Sequence, residues 1–93
     1  MPETEGEVAR RMRAALEAAL SPTRLEIVDD SESHRGHGGY REGGETHFHL
    51  RIAAAAFDGV GRIERQRMVH RALKAELADR VHALSMELQG LAD

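Results

Sequence analysis

The chain has 93 residues, 41% apolar and 31% charged, with a formal charge of −3, no cysteine and only three aromatic side chains. That is a single domain, too small for a large enclosed active site, and without thiols it makes no disulfide, thiolate nucleophile or thiolate metal site of its own. No apolar run approaches the roughly 20 residues of a membrane span, the acidic start (Glu3, Glu5, Glu7) is wrong for a signal peptide, and a net acidic chain is not a general nucleic-acid binder; the expectation is a cytoplasmic protein with no membrane partner. Thr4 and Glu7 have capping-box spacing, and Val8, Met12, Ala15, Leu16, Ala19 and Leu20 form one helical stripe. This predicts a helix over about 4–20, ended by Ser21-Pro22. Leu25 and Ile27 alternate with Glu26 and Val28, a short strand over about 24–29.

The alternation stops at residues 30–44, which hold five glycines and little to bury, so a flexible, functional loop is expected. It resumes over 45–53, with Phe48, Leu50 and Ile52 on one face and His47, His49 and Arg51 on the other. Phe57-Asp58-Gly59 reads as a turn anchored by a buried Phe57. Ile63, Val69, Ala72, Leu73 and Leu77 then give a second helix over about 62–78. Leu84, Met86 and Leu88 share a face of a third strand over 81–88, and a loose tail follows from Gln89 to Asp93. The order is helix-strand-strand-helix-strand. The first two strands pair antiparallel through the long loop, and the second and third, enclosing a helix, pair parallel. Two helices on one face of a three-stranded mixed sheet make an α+β domain, with His47, His49 and Arg51 on its open face.

Six histidines are many for this length, and four lie between His34 and His49. Imidazole is the commonest metal ligand. His34 and His37 ride on glycine-rich backbone, which lets a ring approach a metal without strain; a solvated loop with idle histidines is the alternative. His47 and His49 sit on one strand face, either chelating or decorating it. His70, at the margin of the second helix's stripe, reads as partly buried and hydrogen-bonded. His82 has the parity of Leu84 and sits at the rim of the core, where a core histidine and a ligand explain it equally well. Arg67, Arg71 and Lys74, with Arg62 and Arg65 nearby, form a basic stripe on the second helix. Either it is a solvated face or it lies along phosphates. No nucleophile motif, phosphate loop or dinucleotide fingerprint occurs, which argues against an enzyme.

In order along the chain, LEIVDDS (25–31), GH (36–37), GGETHF (43–48), FDG (57–59), RQRMV (65–69) and VHAL (81–84) resemble the BolA-like family, of the type with a histidine in the loop. The series spans about residues 8–88, departing from the usual pattern at Gln66 and at the alanine run 53–56. The resemblance implies a fold like a class II KH domain and one domain over 1–93, a monomer on its own. It also implies partnership with a monothiol glutaredoxin, sharing a [2Fe–2S] cluster in iron–sulfur trafficking or iron-linked regulation. By that resemblance His82 matches the family's C-terminal cluster ligand and His37 the loop ligand, with His34 as a further candidate. The glutaredoxin cysteine and glutathione would supply the thiolates. Histidine replaces cysteine on one iron in Rieske-type centres, so a cysteine-free chain suffices for half a site. Some family members are described as transcription regulators, which implies the alternative of DNA contacts by Arg65, Arg67, Arg71 and Lys74.

Overall fold

The computed structural model describes residues 6–29, 47–79, 81 and 83–93. Helix α1 (Glu7–Leu20) buries Val8, Ala9, Met12, Leu16 and Leu20, the predicted stripe with Ala9 added and Ala19 exposed. It starts later than the capping-box spacing predicts: Gly6 occupies the N-cap with extended backbone and no side-chain cap. Its end is as expected. Ser21 turns left-handed (φ 46°) and its N–H returns to the Glu17 carbonyl at 3.0 Å, after which Pro22 cannot continue the helix.

Strand β1 (Arg24–Asp29) pairs antiparallel with β2 (His47–Ala53), and β2 pairs parallel with β3 (Ala83–Gln89), in sheet order β1-β2-β3. Alternation puts Phe48, Leu50 and Ile52 against the helices, where all three are buried. Leu84, Met86 and Leu88 have the same parity but are only half-buried, because β3 is an edge strand. A 3₁₀ turn at Ala55–Phe57 drives Phe57 into the core, and Gly59 supplies the positive φ (74°) of the following turn.

The single helix expected over 62–78 is two helices, α2 (Arg62–Ala72) and α3 (Lys74–Asp79), so the layer holds three helices rather than two. The bend falls at Leu73 (φ −103°, ψ 18°), whose own N–H and C=O stay paired. Leu73 N–H still reaches the Val69 carbonyl at 3.0 Å, and Leu77 N–H reaches Leu73 at 2.9 Å. It lets α3 pack on α1, where Arg11 meets Asp79 at 3.4 Å. Val69 and Leu73 are fully buried, whereas Ile63, expected in the same stripe, is 66% exposed. At about 100° per residue Ile63 lies a third of a turn away from Val69. Arg65, four residues before Val69, takes the inward place.

Residues 89–93, expected to trail loosely, carry specific bonds. Gln89 completes β3 and its carbonyl accepts from Ala54 N–H at 3.0 Å. Ala92 N–H donates to Asp58 Oδ1 and Gly90 N–H to Asp93 Oδ2, both at 2.9 Å.

Candidate metal centre and basic surfaces

The implied ligands His37, His82 and the further candidate His34 lie outside the described residues, but the residues flanking them in the chain do not. Asp29, from which the loop departs, opposes Phe48; His47, to which it returns, opposes Ala83, the residue after position 82. The antiparallel and parallel registers together gather both chain ends of the loop and the start of β3 at one end of the sheet. Among the described residues no three His, Asp or Glu side chains converge as a metal site, and the chain has no thiol. A complete metal cage is therefore not built by the described part.

On the open face, His49 is held by two short bonds. The Glu87 carboxylate accepts from Nε2–H at 2.7 Å, and in the neutral ring Nδ1 accepts from the Ser85 hydroxyl at 2.7 Å. Arg51 adds Nε to Glu87 at 3.2 Å and an ion pair to Glu26 at 3.6 Å; Arg24 pairs with Glu26 at 2.6 Å. The His49 bond, then Arg51, holds the Glu87 carboxyl below its ordinary range, and Arg24 first, then Arg51, does so for Glu26. His49 is thus engaged in a polar ladder across three strands. His47 shares its parity but is buried, and His70, expected to be partly buried, is exposed, about 100° round the helix from Val69.

The basic stripe resolves into two kinds of residue. Arg67 and Arg71 have side chains 69% and 66% exposed and share Glu64, at 3.5 and 3.3 Å, while Lys74 is exposed beyond the bend. Arg65 points the other way. Its side chain is only 14% exposed, with Nε donating to the Val60 carbonyl at 2.8 Å and Nη1 to Leu88 at 3.3 Å. A two-pronged pair joins it to Asp93 at 2.7 and 3.0 Å, and the guanidinium carbon stands 5.8 Å from the centre of the Phe57 ring. Arg65, followed by the Gly90 N–H, pulls the Asp93 carboxyl down to about 2. Sequence reading missed this node. The one signal for it was spacing, since Arg65 stands at i−4 from Val69, on the buried side.

The fold and these contacts define a small α+β domain with a polar ladder on its open face and an arginine clamp at the end of β3. A family model described as BolA-like protein matches residues 16–92. BolA-like protein 1 of Mus musculus is 42% identical over 82 residues, covering 88% of this chain and 57% of the mouse protein. SufE-like protein 1, chloroplastic/mitochondrial, of Arabidopsis thaliana is 41% identical over 85 residues, 87% of this chain and 23% of that protein. The chain thus spans well under two thirds of either relative. The solved structure of the BolA domain of SufE1 from Arabidopsis thaliana superposes with a TM-score of 0.85 at 39% identity, covering 96% of this chain and 98% of that one. The chain belongs to the BolA-like family. Among its described residues no helix is long and apolar enough to cross a membrane, and the compartments in the plant relative's name are that protein's.

Proposed function

We propose that this chain is a non-enzymatic partner of a monothiol glutaredoxin and holds a shared [2Fe–2S] cluster through His82 and a loop histidine, His37, with His34 as the alternative. The observation that carries the reading is the register at one sheet end: Asp29, His47 and Ala83 bring the loop's two attachment points beside the start of β3. One histidine directly before β3 in the chain and a second between β1 and β2, with no thiol in the chain, would make half a cluster site that a thiolate-bearing partner completes. Family membership and the SufE-like name of one relative point toward iron–sulfur work. When bound, the cluster would supply the iron–sulfur chemistry; this chain's part is to present neutral imidazoles and to fix their spacing. Mixing the purified chain with a monothiol glutaredoxin under cluster-reconstituting conditions tests it. A visible spectrum distinct from that of glutaredoxin alone is expected, and an unchanged spectrum would refute the pairing.

The alternative, a DNA-binding regulator, would rely on Arg67, Arg71 and Lys74. It has less support, because Arg65 is committed inward and Glu64 offsets Arg67 and Arg71.

A further inference from the structure

β3 is the last strand of the sheet, and among the described residues no strand pairs with its outer edge. Because Gln89 directs its carbonyl to β2, alternation turns the N–H and C=O groups of Leu84, Met86 and Leu88 outward. Arg65 takes the Leu88 carbonyl, at 3.3 Å. A half-open cleft of about 690 Å³ lies between the end of β3 and the first turns of α2, and reaches across Ile52 and Ala53 of β2 to Arg24 of β1. Val60, Met86 and Leu88, all half-buried, give it an apolar wall, and Gln66 adds an amide. Its charges are unequal in availability. Arg24 and Arg51 are paired with Glu26 and Glu87, and Arg65 with Asp93. Arg62 is exposed and has no hydrogen bond or ion pair among the described residues.

We propose that the outer edge of β3 and this cleft form a docking groove for an extended, acidic segment of a partner protein. A strand added to β3 takes up the outward backbone groups, sets an apolar side chain on Met86 and Leu88, and brings a carboxylate to Arg62. A free anion would meet only the last of these needs. The cleft part of the groove, at Met86 and Leu88, lies toward the end of β3 far from position 82.

The test is an amide-resolved NMR titration of the full chain with acetyl-Glu-Val-Glu-Leu-Glu-Val-amide. Saturable shifts are expected at Leu84, Met86, Leu88 and Gln66. The peptide with Lys in place of Glu should not bind, and Arg62→Glu should weaken binding roughly fivefold or more, the effect of reversing one exposed charge contact. Met86→Pro, which removes an outward N–H at a place where an edge strand tolerates proline, should abolish binding while the spectrum stays dispersed. Should that variant not fold, the Arg62→Glu result decides. Absence of saturable shifts at millimolar peptide would overturn the proposal, as would equal binding of the Lys peptide, or the same shifts at the same affinity from glutarate alone.

Discussion

Arg65 does the work of several ordinary contacts, holding the start of α2, the end of β3 and the residues after it through one guanidinium. Lysine cannot copy a planar fork that donates to Val60, Leu88 and Asp93 together. We expect Arg65→Ala to lower Tm by roughly 5 °C or more, and Arg65→Lys to recover little of it; a Tm unchanged in both would mean that the node is ornamental. Asp93 makes the same point through pH. Its carboxyl titrates at about 2 in the folded chain and at about 3.9 when unfolded. The unfolded state therefore binds the proton first as pH falls. Its contribution is complete above about pH 4 and lost as pH drops toward about 2. The Tm gap between the parent chain and Asp93→Asn should be open at neutral pH and closed near that lower limit; a gap constant across the range would contradict the pairing. At Gly90 a Cβ would overlap the Asp58 carboxylate and come within 2.9 Å of Asp93 Oδ1. Gly90→Ala should therefore cost about 1–3 kcal/mol in a denaturant melt.

Periodicity makes the elements legible because each buries one face: Val8, Met12, Leu16 and Leu20 for α1, Phe48, Leu50 and Ile52 for β2. It fails where burial and apolarity part company. On α2 the inward position belongs to Arg65, whose charge is met by Asp93, a partner 28 residues away that no local pattern announces. Ile63, apolar but a third of a turn off the stripe, faces out. Ile63→Ala should change stability by no more than about 0.5 kcal/mol, whereas Val69→Ala should cost about 2–3 kcal/mol, as urea melts will read. The bend at Leu73 was hidden for a related reason: no glycine or proline marks it, and Leu73 itself keeps both its backbone bonds. The sheet's two outer edges are each touched by an arginine from the helix layer, Arg13 on the Leu25 carbonyl at 3.4 Å and Arg65 on Leu88. Such contacts partly satisfy edges that would otherwise invite pairing. For α2 and α3 the bend carries Lys74 onto a different helix from Arg67 and Arg71, which breaks up a straight basic stripe. We expect no submicromolar shift of random duplex DNA at physiological salt, since only a few phosphates could be neutralised. A clear shift under those conditions would revive the regulator reading.

Across the molecule, the sequence order helix-strand-strand-helix-strand was enough to dictate the β1-β2-β3 sheet. A tight or long hairpin joins neighbours antiparallel, and a helical crossover joins them parallel. The candidate centre was legible as residue types and not as geometry: histidines stand out in composition, but only the register shows that the loop's ends and the start of β3 share one end of the sheet. The His49–Ser85–Glu87 ladder depended on the same register, which aligns His49 with Ser85. The proposed function divides the ligands between His82, next in the chain to β3, and a histidine of the glycine-rich stretch between β1 and β2. His82→Ala should then harm the shared cluster more than His37→Ala, whose defect should deepen when His34→Ala is added. The direct measurement is visible circular dichroism of each variant reconstituted with a monothiol glutaredoxin and glutathione, alongside the unmodified chain. The account predicts that His82→Ala loses or strongly alters the mixed-cluster bands while its far-ultraviolet spectrum stays that of the folded chain; unaltered mixed-cluster bands from His82→Ala would contradict it.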